Sequence, residues 1–394
     1  MLTRAIGATI IQRSKKMPVI AILGPRQSGK TTLARALFPQ YTYVSLENFE
    51  MREFARLDPQ RFLEAHQSAQ GIILDEIQHV PQLLSYIQTY VDQEHRPGSI
   101  IITGSQNILM NQAISQTLAG RIALFTLQPL SIAELKRNHI VPETIEEVVI
   151  KGCYPRVYAY DLEPTSWYLD YIETYVERDV RTVGNIVDLS TFRRFIRLCA
   201  GRVGQLLNVV SLANDCGIDQ RTAKAWLSIL EASYIIFLLQ PHYVNFSKRL
   251  VKTPKLYFWD TGLACALLDI RSIDLLHTHY MRGSLIESLL IAEICKHYYN
   301  QGDRPHHVYF WRSHAGHEVD CVIQEHNTLI PIEIKGGATI VQDFFTGLSF
   351  WKTLTDQENT NGFVIYAGDK TQHRSQGTVV SWKNIDLIFD KPAS

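Results

Sequence analysis

The chain has 394 residues, enough for two or three domains, and its 46% hydrophobic and 20% charged content is that of a globular protein. Lys plus Arg (39) equal Asp plus Glu (39), so no global field draws it to nucleic acid, and any basic face must be local. Six cysteines without a C-x-x-C pair argue against a disulfide framework or a zinc site, and no apolar run approaches the roughly 20 residues that span a bilayer.

The expected setting is therefore reduced and cytoplasmic, without membrane contact. The first apolar stretches are short and broken by Arg13, Lys15 and Lys16, which is not a secretory pattern. Pro18-Val19-Ile20-Ala21-Ile22-Leu23 reads as a buried strand. It runs into Gly24-Pro25-Arg26-Gln27-Ser28-Gly29-Lys30-Thr31-Thr32, a G-x-x-x-x-G-K-[ST] phosphate loop, and then into helix-forming residues through Leu37. Strand, glycine loop and helix form the context the motif needs. Gly24 and Gly29 let the backbone curl so that consecutive N–H groups face phosphate oxygens, and the helix adds its positive end. Lys30 is expected to reach the β- and γ-phosphates of ATP, and the Thr31 hydroxyl to ligate Mg2+.

Thr42 to Leu46 reads as a second strand, and residues 49–70 as helical around Pro59. Gly71-Ile72-Ile73-Leu74-Asp75-Glu76 is an apolar strand ending in two acids, a Walker B pattern. Asp75 is expected to hold Mg2+ and Glu76 to polarise the attacking water. The strand Ser99 to Ser105 brings Thr103 and Ser105 to its polar end, candidates for sensing the γ-phosphate. Arg121, just before the strand Ile122 to Thr126, fits either a γ-phosphate finger, in its own chain or on a neighbouring subunit, or a surface ion pair. Strands alternating with helices imply a parallel doubly wound sheet with its ligand at the strands' C-terminal ends.

Residues 131–200 read as mostly helical, and the aromatic stripe of Trp167 to Arg181 as core. Val209 to Cys216, a Gly217-Ile218-Asp219 turn with Asp219 as N-cap, and Gln220 to Ala232 read as a helix-turn-helix. Strands around Ile235 to Leu239 and up to Trp259 read as a wing. Gln220, Arg221 and Lys224 on the second helix, with Lys248, Arg249, Lys252 and Lys255 on the wing, supply the local positive charge a DNA partner needs. The same fold used only for packing is the alternative.

Gly283 to Tyr298 reads as a helix carrying Glu287 and Glu293. Val308 to Arg312 follows as a strand, and His317 to Ile323 with Leu329 to Lys335 as a hairpin. Strand alternation puts Glu333 and Lys335 on one face, with Asp320 brought alongside by the turn. An Asp facing E-x-K on the adjacent strand is the PD-(D/E)xK nuclease arrangement. Asp320, Glu333 and Glu287 are the expected Mg2+ or Mn2+ ligands, and Lys335 is expected to orient the attacking water.

With these motifs, and with Leu118-Ala119-Gly120-Arg121, Trp259-Asp260-Thr261-Gly262-Leu263 and Pro331-Ile332-Glu333-Ile334-Lys335, the chain resembles a bacterial and archaeal family of AAA-type ATPases. These join a phosphate-loop domain to a C-terminal domain of uncharacterised function. The resemblance implies an α/β fold in four parts. They are a P-loop AAA-type ATPase domain with a parallel sheet (1–150), a helical linker (151–200), a winged helix (201–270) and a restriction-endonuclease-like domain (271–394). It implies ATP binding; with the residues above, the expected cofactors are ATP and Mg2+, with Mn2+ possible at the C-terminal site, the expected partner is DNA, and homo-oligomers are possible. An ATP-controlled protein-binding switch with an inactive nuclease-like fold is the rival.

Overall fold

The computed structural model describes residues 2–105, 114, 116–176, 188–242, 252–313, 315–326, 328–355 and 362–390. They divide into two compact units. The first holds Met1–Leu130, Ala232–Tyr234 and Tyr298–Arg304; the second holds Ser131–Glu231, Ile235–His297 and Pro305–Ser394.

In the first unit five strands, β1 (Val19–Gly24), β2 (Thr42–Ser45), β3 (Ile72–Asp75), β4 (Ile100–Ser105) and β5 (Ile122–Thr126), form a sheet in the order β2-β3-β4-β1-β5. Every pairing is parallel. The apolar runs are continuous because both faces are covered. Val19, Ala21, Leu23, Leu74, Ile100 and Ile102 face one core, while Ile20, Ile22, Ile73 and Ile101 face another. Helices α1 (Gly7–Ser14) and α2 (Lys30–Leu37) close the second face through Ile10, Leu33 and Ala34. Helices α3 (Phe49–Leu57), α4 (Pro59–His66) and α5 (Leu83–Glu94) close the first through Ala55, Phe62 and Ile87. This is the parallel doubly wound sheet read from the sequence. Its C-terminal edge aligns Gly24 with Ser105, and Ser45 with Asp75.

Residues 131–150, assigned to the first domain from sequence, fall in the second unit. Helix α6 (Ile132–Arg137) opens with a Ser131/Glu134 capping box, and the Ile132 N–H donates to Glu293 Oε2 at 2.5 Å, which ties it there. Helices α7 (Ile145–Lys151), α8 (Pro155–Ala159) and α9 (Pro164–Tyr171) follow. Helix α10 (Leu189–Ala200) then presents Phe192 and Phe195 to Trp226 of α12 (Gln220–Ala232), ring centroids 5.3 and 5.2 Å apart. Between them lies α11 (Val209–Cys216). Gly217 at φ 75 ends it, and Asp219 accepts the Thr222 N–H at 2.9 Å to start α12. Strands β6 (Ile236–Leu239) and β7 (Lys255–Phe258) then pair antiparallel.

Helices α13 (Thr261–Leu267), α14 (Ile273–Thr278) and α15 (Arg282–Asn300) lead to a mixed sheet. Its strands are β8 (Val308–Arg312), β9 (Glu318–Glu325), β10 (Thr328–Lys335), β11 (Phe363–Tyr366), β12 (Gln372–Arg374) and β13 (Gly377–Ser381), in the order β12-β13-β11-β10-β9-β8. Helix α16 (Thr346–Thr355) sets Trp351 edge-on to Trp311 of β8. Among the described residues, no helix is long and apolar enough to cross a membrane.

Candidate nucleotide site and the C-terminal carboxylate cluster

The phosphate loop lies between β1 and α2. Gly24 has φ +146, and a Cβ there would sit 2.3 Å from the Leu127 carbonyl oxygen, so only glycine fits against the end of β5. Gly29 has φ +92 with open space around it. Lys30 is buried, and its ammonium donates to the Pro25 carbonyl at 2.8 Å and the Gly24 carbonyl at 3.2 Å, holding the charge at the loop. Arg4, which sequence reasoning missed, braces the loop from outside. Its guanidinium donates to the Ser28 carbonyl at 2.8 Å and the Gln128 carbonyl at 2.6 Å. No sequence signal marks Arg4, since it lies twenty residues before the motif in an unremarkable segment.

The acids of β3 meet this loop. Asp75 is 5% exposed and accepts three hydroxyls: Thr31 at 2.7 Å, Tyr43 at 2.9 Å, and Thr103. Thr31 and Asp75, expected to share Mg2+, are thus adjacent, and their hard oxygens suit that ion. Tyr43 is held neutral; burial and the Asp75 carboxylate push its phenol up to about 12. Glu76 follows in the left-handed region at φ 58, a conformation that costs roughly 1–2 kcal/mol in a non-glycine residue. Its N–H donates to Thr103 Oγ1 at 3.4 Å. Gln78, also unforeseen, donates to the Glu76 carboxylate and to Ser105 Oγ at 3.0 Å, joining the Walker B acid to the end of β4. Pro25, Arg26, Gln27 and Thr32 complete the loop and the first turn of α2, with Gln27 at φ 62.

Arg121 is not brought to this site. Its guanidinium clasps Asp92 at 2.5 and 2.8 Å, and its carbonyl accepts the Val19 N–H at the start of β1. The phosphate loop begins at the other end of that strand, about 17 Å away at the usual rise per residue. The pair with Asp92 is the surface reading weighed for Arg121, and the placement removes it from its own chain's loop.

On the second unit Gln220, Arg221 and Lys224 are exposed along α12. Lys252 is exposed, whereas Lys248 and Arg249 lie outside the described residues. Lys255, expected on the wing surface, is 2% exposed and points inward. Its ammonium donates to Glu287 Oε1 of α15 at 2.9 Å and contacts Glu318 of β9. It lies in β7, all of which is buried, and the two lysines three residues apart in the sequence do not reveal which of them turns inward.

The residues read as a metal site do gather at one end of β9 and β10. Asp320 accepts the Ile334 N–H at 2.8 Å, and Lys335 donates to Glu333 at 2.6 Å. Burial raises the carboxyls of Asp320 and Glu287, and raises Glu333 to about 8, with the Asp320 charge adding to the last. Yet among the described residues no group of three or more His, Cys, Asp or Glu side chains is arranged to hold a metal ion. Of the expected set, Glu287 and Glu333 are each paired with a lysine and Asp320 accepts a main-chain N–H, so Mg2+ or Mn2+ does not fit the cluster as it stands.

Residues 16–136 match the family described as an AAA domain. Residues 142–274 and 282–385 match two domains of unknown function, DUF8612 and DUF4143. An uncharacterized protein of Mycobacterium tuberculosis is 27% identical over 93% of this chain and 80% of its own length. One of Haemophilus influenzae is 23% identical over 61% of this chain and 67% of its own. Among solved structures, a Walker-type ATPase of Pyrococcus abyssi aligns with 67% of this chain and 94% of its own, at 15% identity and a TM-score of 0.40. The AMPPCP-bound DnaA of Aquifex aeolicus aligns with 57% and 85%, at 13% identity and a TM-score of 0.30.

Proposed function

We propose that the protein is an ATP-hydrolysing AAA-type ATPase that works on DNA in the cytoplasm. The observation that carries the ATPase reading is the meeting of Lys30, Thr31, Asp75 and Thr103 at the C-terminal edge of a parallel sheet. The loop N–H groups and Lys30 would bind the β- and γ-phosphates. Thr31 and Asp75 would hold Mg2+, which supplies charge neutralisation of the phosphates. Glu76 would take the proton of the attacking water. Gln78 and Thr103 fix where its carboxylate and backbone stand. Turnover and nucleotide affinity of the purified chain test this. Lys30→Ala is expected to abolish turnover and weaken binding, and Glu76→Gln to keep binding and lose turnover. Wild-type hydrolysis by Lys30→Ala sinks the assignment.

The DNA reading is supported by the α11–turn–α12 pair, which leaves Gln220, Arg221 and Lys224 exposed on one helix while Trp226 anchors it to α10. For the C-terminal module, the lysines already paired with Glu287 and Glu333 favour a binding role over phosphodiester cleavage. Metal-dependent cutting of duplex or single-stranded DNA by the wild-type chain would reverse that choice.

A further inference from the structure

The ammonium of Lys255 holds Glu287, one of the carboxylates that the nuclease-like reading assigns to a metal ion. It donates to Glu287 Oε1 at 2.9 Å and pairs with Glu318, and the charge of Asp320 also acts on it. The Tyr257 hydroxyl donates to the same Glu287 oxygen at 2.5 Å, and Arg312 takes the other oxygen of Glu318 at 3.0 Å. Lys335 pairs with Glu333 through Oε2, leaving the buried Oε1 without a hydrogen-bond partner among the described residues, and the Ile334 N–H donates to Asp320 Oδ2. Four carboxylates, Glu287, Glu318, Asp320 and Glu333, thus face three cations, Lys255, Lys335 and Arg312.

The lysine is anchored at both ends. Its backbone lies in β7, paired with Leu239 of β6 and bridged to Leu206 on the other side. On either side of it the Pro254 carbonyl accepts the Leu207 N–H and the Leu256 carbonyl accepts the Gly204 N–H, each at 2.8 Å. A divalent ion would need carboxylate oxygens of this cluster at roughly 2.0–2.6 Å, with a positive ammonium beside it. Cation and cation compete for one set of ligands.

We propose that Lys255 is the resident counter-cation of the C-terminal carboxylate cluster, standing in place of a divalent metal, and that the cluster takes up a metal only when this ammonium is removed. In the folded chain the cluster is an ion-paired hub that fastens β7 to α15 and β9. The inference does not rest on the ATPase reading.

Binding of Mn2+ to the nucleotide-free full-length chain, followed by the electron paramagnetic resonance of free Mn2+, tests it. Asp75→Asn is carried in every arm to silence the nucleotide site. The Asp75→Asn chain is expected to take up no Mn2+ at the C-terminal cluster. Adding Lys255→Met should create one Mn2+ site, adding Lys255→Arg should not, and Asp320→Asn should abolish what Lys255→Met gained. Uptake by the Asp75→Asn chain that disappears with Asp320→Asn overturns the proposal, as does a folded Lys255→Met chain that gains nothing. Should Lys255→Met not fold, amine acylation of the wild-type chain read by peptide mass spectrometry decides. Lys255 should stay equally unreactive with and without Mn2+, and Mn2+-dependent labelling overturns the proposal.

Discussion

Replacing Thr103 by Val removes a hydroxyl that touches both Asp75 and Glu76. Thr103 is fully buried on β4; its hydroxyl donates to the Asp75 carboxylate and accepts the Glu76 N–H at 3.4 Å. Valine has nearly the same shape, so no cavity opens, and the perturbation is the loss of two polar contacts. A hydrogen bond to a charged group is worth roughly 1.5–3 kcal/mol. Thr31 and Tyr43 still bind Asp75, so its charge is not orphaned. If the lost energy is realised in the transition state, kcat falls roughly ten- to hundredfold. The phosphate loop is untouched, so the Kd for ATP should stay within about a factor of three, well under 1 kcal/mol. Steady-state hydrolysis with a parallel nucleotide titration measures both. An unchanged kcat would show that Thr103 does not position the Walker B acids for chemistry. An equal loss of affinity would assign it to ground-state binding instead.

Two further outcomes are expected. Reversing Arg221 and Lys224 to Glu should weaken DNA binding and flatten its dependence on salt, because fewer counterions are released; unchanged affinity across a salt series assigns α12 to packing. Glu333 titrates at about 8 in the fold against an ordinary value of 4.5, so its neutral form is the one the fold favours. Stability from this group is complete below about pH 4.5 and declines as the pH rises through about 8. Glu333→Gln should therefore flatten the melting temperature between pH 5 and 8.5, and an identical pH profile in both proteins contradicts the assignment.

The candidate nucleotide site is legible in sequence because its chemistry is written in adjacent residues. Gly24 to Thr32 specify their own turn, and a continuous apolar run from Ile72 to Leu74 can only be a covered strand that delivers Asp75 to the same edge. The helix-turn-helix elements were legible for a similar reason, since Gly217 and Asp219 stop one helix and start the next within three residues. Arg4 and Gln78 escaped notice because each acts through a single long side chain whose partners are main-chain carbonyls or come from another strand. Nothing in local spacing encodes such a reach. For Arg121 the sequence leaves two readings, a γ-phosphate finger or a surface ion pair, and the fold pairs it with Asp92. Its place before a strand was clear, but the direction of that strand put it at the wrong end of the sheet.

Lys255 shows most sharply where sequence reasoning stops. In the run Lys252-Thr253-Pro254-Lys255-Leu256-Tyr257-Phe258 two lysines look alike, three residues apart, and both suit an exposed basic wing. The fold separates them: Lys252 is exposed and Lys255 buried. All of β7 is buried, so its lysine had to find carboxylates or lose its charge, and Glu287 and Glu318 arrive from α15 and β9, 32 and 63 positions later in the chain. The acidic half of the cluster has a recognisable spacing and so suggests a metal. The basic half comes from a segment with no spacing relation to it. A motif of acids in a sequence therefore specifies a demand for positive charge without specifying which cation meets it. In this chain a strand of the preceding hairpin meets it first.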